Sequence, residues 1–258
     1  MTGTSAGWIP RTLAFAILAF VALDCRAGLI EVVAKAKPSV VCVGTYNATD
    51  APRFGFRGTG FAVADGSLVV TNAHVLPERG SGDAEPRLAV QVIAANGTLE
   101  LRPASLVTFD PTHDLALLRI EGAALPALAL ADSKTIREGQ AIAFIGFPIG
   151  SALGFKPVTH RGIISSITAI ALPMPAARQL NEQAIKRLRS GSFDIFQLDA
   201  TAYPGNSGGP VLDVDTGEVV GVINMVLVKS TKESALSAPS GISYAVPAAF
   251  VVDLLKSR

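Results

Sequence analysis

The 258 residues carry 22 Lys and Arg against 21 Asp and Glu, a net charge of +1, with 49% hydrophobic and only 17% charged residues. That balance excludes a disordered chain and gives no general electrostatic pull toward nucleic acid or membrane surfaces. It allows a sizeable core, and the sequence shows no long basic tract, metal-spaced Cys/His cluster, phosphate loop or dinucleotide fingerprint.

At the N-terminus, Leu13 to Leu23 is an unbroken apolar run between Arg11 and Asp24. It is shorter than the about 20 residues of a membrane span and has the length of a secretory h-region. The small residues Cys25 and Ala27 suit a cut before Gly28. Residues 1–27 are therefore read as a signal peptide and 28–258 as the mature chain, extracytoplasmic (periplasmic or secreted) and without a stable membrane span. An uncleaved anchor is the alternative. Asp24 stands where a lipoprotein signal needs a small residue, which argues against lipidation. Cleavage leaves Cys42 alone, so an internal disulfide is not expected, and the thiol in Val40-Val41-Cys42-Val43 is expected to pack as a small hydrophobe.

Short β-rich runs then recur between turn signals. They are Val40–Val43, Gly60–Val63, Leu68–Thr71, Leu88–Ile93, Ala116–Ile120, Ala141–Ile145, Gly162–Ile167, Ile195–Leu198 and Val219–Ile223. Pro126 to Asp132 reads as the passage between two halves. Pro77 to Pro86 is polar and glycine-bearing, an exposed loop. Residues 172–192 break the strand rhythm: Leu180, Ala184, Ile185 and Leu188 share a helical face, and Arg178, Lys186, Arg187 and Arg189 make the stretch basic. At the C-terminus, Phe250, Val251, Leu254 and Leu255 follow Pro247 at helical spacing, which predicts a terminal helix against the second half.

The chemistry concentrates at Gly205-Asn206-Ser207-Gly208-Gly209-Pro210. Glycines around a serine let the backbone turn sharply and leave N–H groups free to converge. The pattern suits an α/β-hydrolase elbow, a trypsin-like nucleophile turn or an ordinary loop. Chain order removes the first, because His74, His113 and His160 all precede Ser207 while a hydrolase needs its histidine last. The order His, Asp, Ser remains. His74 closes the apolar run from Leu68, where a neutral imidazole could take a serine proton. Asp114 leads the apolar run Leu115 to Leu118, where a carboxylate needs a hydrogen-bonding partner. His113 is read as a surface or turn residue, since neighbours on a strand face opposite ways. His160, with no carboxylate nearby in sequence, is read as structural.

Together, Gly58-Thr59-Gly60-Phe61, Thr71-Asn72-Ala73-His74-Val75, Asp114-Leu115-Ala116-Leu117, Ala143-Phe144-Ile145-Gly146-Phe147-Pro148, Gly162-Ile163-Ile164-Ser165, Gly205 to Pro210 and Gly241-Ile242-Ser243-Tyr244-Ala245-Val246-Pro247 resemble the protease domain of the HtrA (DegP-like) branch of trypsin-like serine proteases. The resemblance covers roughly residues 31 to 258. It implies an all-β chain of two six-stranded antiparallel β-barrels, about 28–130 and 131–258, with a C-terminal helix, and the site in the cleft between them. It makes His74 the base, Asp114 its orienter and Ser207 the nucleophile. The Gly205-Asn206-Ser207 turn becomes the oxyanion hole, with Gly205 and Ser207 supplying its N–H groups.

By the same resemblance, Thr201, Ala202 and Tyr203 with Val226 and Leu227 wall the primary substrate pocket. Thr201, six residues before Ser207, is not the aspartate that would hold Lys or Arg, so small or medium aliphatic residues are expected before the scissile bond. Substrates would be proteins or peptides, in quality control outside the cytoplasm. No metal or organic cofactor is implied, and a homo-oligomer is left open. Two departures stand out. The chain stops at Arg258 where such proteases usually continue into a PDZ domain, and Asn206 replaces the aspartate that digestive relatives pair with a newly cut N-terminus. The rival reading is a protease-shaped peptide-binding or chaperone protein with little catalysis. Residues 172–192 have two readings, a solvated face on a short helical insertion or, because they lie shortly before the serine segment, a regulatory loop bordering the cleft.

Overall fold

The computed structural model describes residues 28–77, 87–94, 97–150, 154–170, 193–224 and 241–258. The proposed signal peptide, the insertion at 172–192 and the wall residues Val226 and Leu227 lie outside them. A short helix, α1 (Leu29–Ala36), precedes six strands: β1 (Val40–Tyr46), β2 (Phe54–Val63), β3 (Leu68–Asn72), β4 (Arg87–Ile93), β5 (Leu99–Asp110) and β6 (Leu115–Ile120). Six more follow: β7 (Ala141–Gly146), β8 (Val158–Ile170), β9 (Phe193–Asp199), β10 (Pro210–Asp213), β11 (Val219–Asn224) and β12 (Ile242–Pro247). Helix α2 (Ala248–Lys256) ends the chain.

Each set of six closes on itself, in the order β1-β2-β3-β6-β5-β4 and β10-β11-β12-β9-β8-β7, with antiparallel pairing. The two six-stranded antiparallel barrels and the C-terminal helix are those expected. Closure removes the sheet edges that would otherwise invite pairing with other chains.

Several strands are apolar at consecutive positions because both of their faces are covered. Val41, Val43, Val69, Val90, Val92, Leu118 and Ile120 pack together within the first barrel. The intervening Val40, Cys42, Leu68, Val70, Leu115 and Leu117 face the other way, into a cluster shared with Ile145, Phe147, Leu212, Val222 and Val246 of the second barrel. Ile142, Phe144, Ile164, Phe196, Leu198, Val211, Val220 and Ile223 fill the second barrel. Each such side chain, fully buried, contributes about 1.5–3 kcal/mol, so the shared cluster fixes the barrels against each other. Cys42 belongs to it, and burial pushes its thiol well above the ordinary range, as befits a small hydrophobe.

The connector is stitched to both halves. Leu125 N–H donates to Gly66 O at 3.0 Å and Leu128 N–H to Ala62 O at 2.9 Å, while Ala131 N–H donates to Val219 O and Val219 N–H to Ala129 O. Helix α2 departs from expectation in two ways. Pro247 is the last residue of β12 and the cap of the helix rather than part of its first turn. The helix also packs on β5 and β6 as well as on β11 and β12, because Val251 and Leu254 join the cluster between the barrels. It clasps both halves. No helix among the described residues is long and apolar enough to cross a membrane.

Candidate active site

His74 sits in a 3-10 turn, Ala73–Val75, directly after β3. Arg57 of β2 holds that turn, donating from Nε to Val75 O at 2.5 Å and from Nη2 to Leu76 O at 2.9 Å. Asp114 is the last residue of the turn before β6 and has φ +53°, a left-handed conformation that costs a non-glycine residue of order 1–3 kcal/mol. Its surroundings repay that strain. Its carbonyl accepts from Ala73 N–H at 3.0 Å and from Asn72 Nδ2 at 2.9 Å. Its Oδ1 accepts from His74 N–H at 2.8 Å, and its Oδ2 lies 2.5 Å from His74 Nδ1. Asn224, at the end of β11 in the other barrel, donates to the same Oδ2 at 2.7 Å. With Nδ1–H directed at a carboxylate, the neutral imidazole keeps its lone pair on Nε2, the tautomer a general base requires.

Ser207 comes from the second barrel, in the turn between β9 and β10. Gly205 has φ +100° and Gly208 φ +86°, and a Cβ on Gly208 would lie 2.1 Å from Thr59 O. Only glycine fits there. Thr59 of β2 ties the turn to the first barrel: its N–H donates to Ser207 O at 2.9 Å and its Oγ1 to Gly205 O at 2.6 Å. Thr71 Oγ1 in turn donates to Thr59 O at 2.7 Å.

Within the turn, Asn206 N–H is bonded to Tyr203 O, Gly208 N–H to Ile223 O and Gly209 N–H to Asn206 O. Asn206, grouped with the oxyanion residues by the sequence, thus offers no free backbone donor. The amides of Gly205 and Ser207 have no acceptor among the described residues. The Pro204 carbonyl, which could otherwise turn inward, accepts from Ile149 N–H at 2.8 Å. Ser207 Oγ makes no hydrogen bond among the described residues, His74 included, although Ser207 is 95% covered, with a relative exposure of 5%. Base–nucleophile contacts in a free site often tighten only with substrate.

The description of the trypsin-like peptidase domain matches residues 58–222, from the glycine before Thr59 to the middle of β11. The chain belongs to the trypsin-like peptidase family. Among curated relatives of this peptidase domain, the mitochondrial serine protease HTRA2 of Drosophila pseudoobscura pseudoobscura is 31% identical over 195 residues, which is 76% of this chain. That of Drosophila willistoni is 32% identical over the same length. The chain spans only 37% of the length of either relative. Among solved structures, Deg5 superposes with a TM-score of 0.61 at 27% identity, covering 87% of this chain and 90% of that one. The HtrA-type protease AlgW with a tripeptide gives 0.61 at 27% identity, covering 89% and 63%.

In this peptidase domain, the expected pocket wall begins at Thr201 and Tyr203, both half-buried, with Ala202 between them buried. Ser243 of β12 pins the segment, accepting from Ala202 N–H at 3.0 Å and donating to Ala200 O at 2.7 Å. The other wall residues, Val226 and Leu227, fall outside the described residues. His160 lies on β8, its ring stacked on Phe144 at 4.6 Å between centroids, with Nε2 3.4 Å from Asn206 Nδ2. It meets no carboxylate among the described residues, and burial holds its pKa below the ordinary 6.5.

Two residues that organise the site received no role from sequence. Asn224 ends an apolar strand with an amide, and Thr59 is the one hydroxyl in Gly58-Thr59-Gly60. A buried polar residue inside an otherwise apolar or glycine-rich strand was the available signal, since such a group needs a partner.

Proposed function

We propose that this chain is a serine endopeptidase working through a covalent acyl-enzyme. His74 takes the Ser207 proton as Oγ attacks the substrate carbonyl, and later returns it to the leaving amine. Asp114 fixes the tautomer and stabilises the imidazolium, while the Gly205 and Ser207 amides receive the oxyanion. The observation that carries this reading is the pair of amides at Gly205 and Ser207 that meet no acceptor among the described residues, in a serine turn bonded through Thr59 to the barrel that bears His74 and Asp114.

The substrates are protein or peptide chains, with an aliphatic residue before the cut in the pocket walled by Thr201, Ala202, Tyr203, Val226 and Leu227. AlgW is an HtrA-type protease seen with a tripeptide, and for this chain we infer a peptide-cutting role in protein quality control outside the cytoplasm. The unmade contact between Ser207 Oγ and His74 favours a second reading, a peptide-binding protein with little catalysis. A fluorophosphonate probe separates the two, because only a serine with a working base and oxyanion hole reacts. Casein hydrolysis and probe labelling are expected from the wild type, with turnover lowered about 10⁶-fold in Ser207→Ala. A folded wild type that binds peptide and neither labels nor cleaves would establish the second reading instead.

A further inference from the structure

The turn that delivers Asp114 is built around a second carboxylate. Asp110, the last residue of β5, folds its side chain back over the residues that follow. Oδ1 accepts from Thr112 N–H at 2.8 Å and His113 N–H at 3.2 Å, and Oδ2 lies 2.5 Å from His113 Nδ1. Burial alone would raise the pKa of Asp110, but the hydrogen bonds and charge of His113 outweigh it and hold the carboxyl below its ordinary value. The His113 ring is itself fixed from two directions. It stacks on Phe250 of α2, with 3.7 Å between centroids and 18° between planes, and meets Phe193 of β9 edge to face at 4.6 Å and 69°. One residue further on, the chain enters the left-handed conformation of Asp114. Such a conformation persists only where its neighbours over-determine it.

We propose that Asp110 and His113 are positioning residues for Asp114: together they set the rotation of the Pro111–Asp114 turn and so the aim of the Asp114 carboxylate at His74. Through Phe250 and Phe193 that aim also depends on the seating of α2 and of the first residue of β9, both outside the first barrel. The inference rests on the reading of Asp114 as the acid of the triad.

A double-mutant cycle tests it, with wild type, Asp110→Asn, Asp114→Asn and the double variant assayed on a small ester for kcat and KM, and the fold followed by circular dichroism. Asp110→Asn should lower kcat by about 10- to 100-fold, the scale of a small misplacement near the chemistry, with KM unchanged. In the Asp114→Asn background the same change should cost nothing further, because the group being aimed is gone. A residue that merely supported the fold would lower kcat by the same factor in both backgrounds, and that result overturns the proposal, as does an unchanged kcat in a folded Asp110→Asn. If Asp110→Asn does not fold, His113→Phe takes its place in the cycle, since it keeps a ring on Phe250 and removes only the bond to Asp110. Wild-type kcat in Asp114→Asn would sink the triad reading itself, a failure distinct from the others.

Discussion

The peptide bond between His113 and Asp114 joins two histidine–aspartate pairs. In each, Nδ1 lies 2.5 Å from a carboxylate oxygen, and neither pair is deeply buried. They differ in what else they touch. The His113–Asp110 pair is local, three residues apart, and the imidazole is roofed by Phe250 and edged by Phe193. The His74–Asp114 pair spans forty residues, receives a further bond from Asn224 in the other barrel, and leaves 28% of the His74 side chain exposed. The histidine–carboxylate contact is common to both pairs; the more exposed imidazole and the bond from the other barrel belong to His74–Asp114 alone.

Substitutions can break that contrast. The largest effect belongs to Asp114→Asn, which keeps the shape and reverses the hydrogen bond, leaving His74 in the wrong tautomer. Ester hydrolysis should fall about 10⁴-fold, far more than any change in the His113 pair. Comparable losses at Asp110 and Asp114 would erase the distinction. Next comes Asn224→Ala, which removes the bond that the His74–Asp114 pair receives from the second barrel. A hydrogen bond to a charged group is worth about 1.5–3 kcal/mol, so kcat should drop about 10- to 100-fold, read by steady-state kinetics; an unchanged kcat would mean that the bond from Asn224 has no part in orienting the acid.

The smallest effect concerns His160, the histidine with no carboxylate partner among the described residues. Its pKa is lowered by burial, so below pH 6.5 the unfolded chain binds a proton that the folded chain refuses. Stability therefore falls as pH drops through 6.5 and levels off only below the folded value. Urea unfolding of His160→Phe across this range should show a shallower decline than wild type; an identical decline would place the linkage elsewhere.

Most of the barrel framework was legible, because apolar β-branched runs between glycines and prolines leave few alternatives. Strand β5 was not. Pro103 interrupts it, and its outward residues Leu99, Glu100 and Leu101 obscure any alternation, yet the proline stands where the pairing with β4 ends and that with β6 begins, a ladder end that has no need of its missing N–H. Strands β10 and β12 were hidden among glycine and proline signals. His113 was read as a surface or turn residue and lies in the turn, but its ring is largely covered, because α2 reaches across to the first barrel instead of staying on the second. The strand alternation invoked to separate it from Asp114 does not apply within a turn. The roles of Asn224 and Thr59 could not be read locally at all, since their partners stand 110 and 146 residues away in the chain.

The stitching of the Ser207 turn onto Thr59 has a consequence in time. A chain made from its N-terminus completes the first barrel, with its acid and base, before the serine has been synthesised. The turn that bears the serine takes its backbone partners from Thr59 and Ile223, so it acquires its shape only as the second barrel closes against the first. On the proposed reading, neither half is a protease by itself, and the nascent polypeptide stays inert beside its own ribosome until the second barrel has been laid down.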